Sequence, residues 1–227
     1  MSDHTEKTTN LITMSNQVQR SQALRVWPLY SLELVLGEWS LSLPNWTDLG
    51  LLLPQRAVEM VANQSDADVQ LQEWALFQGE LLAIANWLPH EWQLSLCVKF
   101  RRQPVGIQRL LFKAAENAIT TDSWIAECHR RQGHGSSARI IALDFAFNWL
   151  GVQYAKSQTL ANNIASNALN QRLGYQIVSA ISFFGAESPE YEWRLPLEVW
   201  VAQSHGRTQV LGLTDECKRL LGIKKLW

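Results

Sequence analysis

Apolar and polar residues alternate from Leu32 to Leu43, with Leu32, Leu34, Leu36, Trp39, Leu41 and Leu43 set around Glu33, Glu38 and Ser42. That period of two predicts an extended strand, kinked near Gly37 and ended by Pro44. A helical period follows from Trp46 to Asn63, with Thr47 as cap and an interruption at Pro54. A second helix, Val69 to Trp87, brings Leu71, Trp74, Ala75, Gln78, Leu81, Leu82 and Ala85 near one face. Trp92 to Phe100 and Val105 to Phe112 read as strands joined by Arg101-Arg102-Gln103-Pro104, a link short enough for a hairpin. A short strand from Ile119 to Glu127 then enters a glycine-bearing turn and a helix from about Gly135 to Leu150, which is apolar on most sides and predicted to be buried. Gly151 stops it. Next come a strand from Gln153 to Thr159, a helix from Asn162 or Asn163 to Gly174, and strands Tyr175 to Phe184 and Tyr191 to Leu195. Strands interleaved with helices, hairpins included, predict a mixed sheet in an α/β or α+β fold.

Outside this pattern lie residues 1–23, rich in Ser, Thr, Asn, Gln and Lys and expected to be a mobile tail, and 201–227, expected to be an extension of short helices packing on a single domain of residues 24–200. The 20 Lys and Arg nearly balance the 21 Asp and Glu, so no global field favours nucleic acid or an anionic membrane. The first ten residues are unlike a secretory signal, no run approaches the ~18 residues of a membrane span, and three widely spaced cysteines suit a reducing cytoplasm. The histidines show no metal-ligand spacing. Eleven tryptophans invite a binding-surface reading, but large core side chains explain them more simply.

Charge matters locally, in Glu127-Cys128-His129-Arg130-Arg131-Gln132-Gly133-His134-Gly135-Ser136. Two glycines allow close backbone approach, the helix that follows aims unpaired N–H groups at the same spot, and two arginines suit phosphate oxygens. Gly133-x-Gly135-x-x-Ala138 also satisfies a dinucleotide-binding pattern, which would make the chain an NAD(P)-dependent oxidoreductase. The next strand, however, offers Lys156, Ser157 and Gln158 where a ribose-binding acid is required. No Gly-Lys-Ser/Thr follows, as an NTPase phosphate loop needs.

Arg130-x-x-Gly133-x-Gly135 resembles the Q/R-x-x-G-x-G/A signature of the GNAT superfamily of acyl-CoA N-acyltransferases. Downstream, Asn163-x-x-Ser166-x-x-Leu169-x-x-Arg172-Leu173-Gly174-Tyr175 is similar to a segment of the branch that includes the ribosomal-protein N-acetyltransferases. The resemblance implies a twisted mixed sheet of about seven strands with helices on both faces. Its two central parallel strands splay apart around CoA. It implies backbone amides of Gln132, Gly133, His134, Gly135 and Ser136 on the pyrophosphate, helped by Arg130 or Arg131, and a pantetheine arm paired with the strand end at Ile125, Ala126 and Glu127. It further places Asn163 on the pantetheine and Ser166 near the sulfur.

The chemistry implied is direct attack of a primary amine on the thioester of acetyl-CoA in a ternary complex, with a non-catalytic CoA-binding module as the alternative. Ser166 is the acid for the departing thiolate, and Glu127 the first choice for the base that deprotonates the ammonium, ahead of Asp122, His129 and His134. A backbone N–H near Ile125 or Ala126 would serve the oxyanion. Cys128 lacks the His and Asn set of a thiol nucleophile. Trp46, Trp74, Trp87, Trp92 and Trp124 could line an acceptor slot, together with a hairpin at residues 182–193. The amine, a protein N-terminus or a small molecule, is not fixed by the sequence. A homodimer is compatible with the family. Succinyl-CoA is an alternative donor, which would need an additional cation near the thioester, and the sequence points to none.

Overall fold

The computed structural model describes residues 27–61, 65–182, 188–203 and 207–223. The expected tail at 1–23 and part of the 182–193 hairpin lie outside the described residues, as do the side chains of Trp74, Leu81 and Ala85.

A 3-10 turn at Pro28–Ser31 leads into β1 (Glu33–Leu36) and β2 (Trp39–Ser42), so the expected single kinked strand is a hairpin. The turn falls where Gly37 takes a φ of 58°, a left-handed conformation in which glycine is unstrained. Two helices follow, α1 (Trp46–Met60) and α2 (Asp66–Ala85). Asn45, rather than Thr47, caps α1: its side chain accepts from the Asp48 N–H at 2.8 Å while Asp48 accepts from the Asn45 N–H at 3.1 Å. Ser65 and Asp68 repeat the device on α2. Pro54 does not interrupt α1, whose Leu52, Leu53 and Ala57 are buried around it. Long antiparallel strands β3 (Glu91–Phe100), β4 (Gln103–Lys113) and β5 (Ala118–Ile125) are followed by α3 (His134–Phe145), which runs on as a wider π turn to Leu150. Then come β6 (Tyr154–Leu160), α4 (Ile164–Arg172), β7 (Gln176–Ile181), β8 (Glu190–Pro196), α5 (Leu197–Val201), β9 (Gln209–Leu211) and α6 (Asp215–Leu220).

All nine strands form one sheet in the order β7-β8-β6-β5-β4-β3-β2-β1-β9. Splitting the first strand into a hairpin and adding β9 account for the excess over the expected seven. Side-chain alternation gives the sheet two buried faces. Leu94, Leu96, Val98, Leu110, Phe112 and Ile119 join the main core, which contains Ala138, Ile141, Ala142 and Phe145 of α3. Cys97 and Ile107 meet Leu52 and Leu53 of α1 on the opposite face, beside Phe77 and Trp124. Trp87 stacks on Trp92 at 5.2 Å, meets Trp27 edge-on, and donates to the Leu220 carbonyl, so this part of the tryptophan content is core. Among the described residues, no helix is long and apolar enough to cross a membrane.

One pairing in the sheet is incomplete. β5 and β6 are its only parallel neighbours among the described pairs, and they bond only over Ala118↔Tyr154, Ile119↔Ala155 and Thr120↔Lys156. Beyond Thr120 the two strands part, while each stays bonded along its outer edge: β5 to β4 as far as Gly106↔Ile125, and β6 to β8 as far as Leu160↔Glu190. The result is a fork, fixed from both sides, whose mouth opens toward the end of β5 and the start of α3.

Candidate active site

At the mouth, β5 gives way to a 3-10 turn at Glu127–His129, after Ala126 donates to the Val105 carbonyl at 3.0 Å. Arg131 and Gly133 take φ values of 60° and 85°, and these two left-handed residues turn the chain into α3. The Ser137 N–H bonds the Gly133 carbonyl at 3.0 Å, which leaves the amides of His134, Gly135 and Ser136 without an acceptor inside the helix. Gly133 has no side chain to cap them. An uncapped helix start facing a strand end suits an anion through backbone geometry and dipole. Gly135 is helical and has no positive φ; a Cβ there would meet only the Ile125 side chain, at 3.5 Å.

The side chains around the cradle are sorted in a way the sequence did not reveal. Arg130 donates from Nε to the Ile125 carbonyl at 2.9 Å and from Nη2 to Glu59 Oε2 on α1. Arg131 is exposed. Arg172, at the end of α4, donates to Ser136 Oγ and brings a cation to the helix start. His134 is 3 % exposed; its ring packs on Phe100 and its Nδ1 accepts from Trp39 Nε1 at 3.0 Å. Burial, with a smaller contribution from neighbouring His129, holds its pKa below the ordinary 6.5, so the imidazole is neutral with its proton on Nε2. The His134 side chain is thus committed to the core, and its backbone N–H remains at the helix start.

Buried polar groups line the closed end of the fork. Thr121 Oγ1 donates to the Lys156 carbonyl at 3.2 Å and lies 3.3 Å from the Tyr175 hydroxyl. Ser123 donates to Gln108 Oε1 at 2.5 Å. Arg139 of α3 reaches between the strands, to Ser123 Oγ on β5 at 3.1 Å and to Ser157 Oγ on β6 at 3.4 Å. Nearby, the Asn163 side chain caps α4 by accepting from the Ser166 N–H at 3.1 Å, which puts half-buried Ser166 in the first turn of that helix. Gly174, at φ 85°, ends α4 and turns Tyr175 into the core.

On the other face, Trp124 Nε1 donates to Glu59 Oε2 at 3.0 Å, and the Arg56 guanidinium lies 5.8 Å from the Trp124 ring centre. Asp122 is mostly exposed and 3.7 Å from Arg109. Glu127 is exposed, directly after the strand end. Cys128 is an exposed thiol, while burial, with Asp48 adding to it, pushes the Cys97 thiol far above the usual range and leaves it inert. Between α1 and α2 lies a cavity of about 410 Å³ lined by Trp46, Leu49, Gly50, Leu53, Gln70, Glu73 and Phe77. Among the described residues no group of His, Cys, Asp and Glu could hold a metal ion.

Arg139, Arg172 and Glu59 were missed by sequence reasoning. Arg172 stood in the Asn163–Tyr175 motif without a role of its own, and Arg139 left a signal as a lone cation in a helix otherwise apolar on most sides.

A parallel pair of strands that parts beneath an uncapped helix start leaves a gap suited to an extended ligand with an anionic group at one end. Residues 44–176 match the model of the acetyltransferase (GNAT) domain, and the chain belongs to that family. Its activity is acyl-CoA-dependent transfer to nitrogen. Solved structures agree in fold at low identity. The spermidine N-acetyltransferase SpeG K23-Q34 chimera from Vibrio cholerae and hSSAT aligns with a TM-score of 0.60 at 14% identity, over 74% of this chain and 100% of its own. Mycobacterium smegmatis RimJ in complex with CoA-disulfide gives 0.58 at 14%, over 77% and 95%. A putative ribosomal-protein-serine acetyltransferase from Vibrio cholerae gives 0.55 at 17%, over 72% and 97%.

Proposed function

We propose that the fork holds the pantetheine arm of an acyl-CoA and that a primary amine attacks the thioester directly from the α1–α2 face. The observation that carries this reading is the parting of β5 and β6 beneath the uncapped start of α3. The amides of His134, Gly135 and Ser136, continued by Gln132 and Gly133, take the pyrophosphate, with Arg131 and Arg172 supplying charge. The open edge of β5 at Ile125 and Ala126 pairs with the amides of the arm, as an unpaired strand edge does with an extended ligand. Ser166 protonates the leaving thiolate, and Asn163, already fixed as a cap, orients the arm beside it. Glu127, solvated after the strand end, accepts the ammonium proton through water.

The acceptor side favours an amine carried on a partly apolar body. The cavity between α1 and α2 is walled mainly by Trp46, Leu49, Leu53 and Phe77, and it offers Glu73 as a single carboxylate for a cationic group. The acyltransfer unit is residues 24–200, with 201–227 as an extension of it.

Binding of CoA itself tests the fork. Saturating CoA raises the melting temperature, and acyl-CoA with an amine panel releases free thiol. No stabilisation by any CoA species overturns the proposal. Stabilisation without thiol release from any amine makes the chain a CoA-binding module instead.

A further inference from the structure

Arg139 is the feature that acetyl transfer leaves unexplained. It is 5 % exposed, yet its partners among the described residues are neutral: the Ser123 and Ser157 hydroxyls, the Asn170 amide oxygen at 3.4 Å, and the neighbouring Tyr175 hydroxyl. Burial raises the pKa of Tyr175 above its ordinary 10, so that hydroxyl carries no charge. None of these partners is a carboxylate. Removing a guanidinium from water without a counter-charge is unfavourable. Neutral acceptors satisfy its hydrogen bonds and leave its charge uncompensated.

The position of that charge is specific. The last β5–β6 pair is Thr120↔Lys156, and the guanidinium spans the two strands just beyond it, at the closed end of the fork. A carrier anchored at the start of α3 and laid along β5 presents its acyl end here. The surroundings of the guanidinium also suit a methyl group poorly: Gln108, Thr121, Ser123, Ser157 and Asn170 are polar, and four of these five are buried.

We propose that this closed end is an acyl pocket with Arg139 as its counter-ion, selecting a donor whose acyl group ends in a carboxylate: the CoA thioester of a short dicarboxylic acid. This rests on the reading of the fork as the CoA site. The carboxylate pairs with the guanidinium, and the serine hydroxyls that Arg139 now engages turn to donate to the carboxylate oxygens. Arg139 acts as a specificity residue, remote from the amine and from proton transfer.

The test measures affinities of CoA, acetyl-CoA, succinyl-CoA and glutaryl-CoA for the full chain and for Arg139→Gln and Arg139→Lys, with a thermal melt of each variant. A dicarboxylic thioester is expected to bind wild type about tenfold to a hundredfold more tightly than acetyl-CoA, the range of one hydrogen-bonded charge pair. R139Q abolishes the difference and keeps its affinity for CoA, while R139K retains part of it. Acetyl-CoA binding as tightly as both dicarboxylic thioesters in wild type overturns the inference, leaves the CoA site intact, and needs no variant to fold. A preference that survives in a folded R139Q overturns the assignment to Arg139. Failure of every CoA species to bind overturns the site itself.

Discussion

The two faces of the sheet differ in how tightly they are held. On one, α3 is buried from Ala138 to Phe147 apart from Ile140, and it packs across the five strands β1 to β5. On the other, α1 rests on a small patch of Leu52, Leu53, Cys97 and Ile107, while Leu51, Val58 and Met60 of α1 and Leu71 and Leu82 of α2 remain exposed. Trp46, at the rim of the cavity, is 63 % exposed. In the proposed function, a carrier common to many reactions is bound by backbone on the tightly packed face. On the same proposal, the acceptor, which gives each enzyme its identity, is met by helices with apolar surface to spare and little core beneath them, so changes there need not disturb the fold.

Substitutions on each side can break this division. Gly135→Asp has the largest expected effect, weakening CoA about a hundredfold or more by placing a carboxylate on the phosphate cradle. Its Cβ meets nothing closer than Ile125 Cγ1 at 3.5 Å, so the melting temperature without ligand should hold; calorimetry with CoA checks it. Ser166→Ala lowers turnover by about a hundredfold with CoA affinity unchanged, as read from thiol release. Gly106→Ala tests rigidity: a Cβ there lies 2.2 Å from the Trp124 carbonyl, so the strand pair must shift, and urea unfolding should show a loss of about 1–3 kcal/mol. On the acceptor side, Trp124→Phe removes the bond to Glu59, worth about 1 kcal/mol, and should raise the KM for amine severalfold while sparing CoA affinity. An equal loss of CoA affinity would dissolve the distinction between the faces.

The smallest effect is on pH dependence. His134 has a folded-state pKa below its unfolded value, because burial disfavours the imidazolium. Below about pH 6.5 the unfolded chain binds a proton that the folded chain does not, so stability falls as pH drops from there toward the depressed pKa. His134→Gln should make the decline of melting temperature between pH 7 and 5 shallower.

What the sequence revealed was local. Gly133, Gly151 and Gly174 mark helix boundaries because their left-handed φ values are decided within a turn, and the Asn163 cap is a contact three residues long. The parting of two central parallel strands follows from the resemblance and not from the alternation of residues. The missed residues act at long range. Arg172 reaches back to Ser136, Glu59 meets Arg130 from another layer, and Arg139 gathers Ser123, Ser157 and Asn170 from three elements. No spacing along the chain encodes such meetings. The hairpin of β1 and β2 was missed for a different reason: a two-residue turn does not break the alternation of apolar positions on either side.

The pairing of β9 with β1 has a consequence in time. A ribosome releases Glu33–Leu36 on the order of ten seconds before it releases Gln209–Leu211. During that interval the outer edge of β1 is a bare template for strangers, the condition under which nascent β-proteins aggregate. Slow or interrupted translation of the last segment should therefore lower soluble yield more than its three-residue strand would suggest.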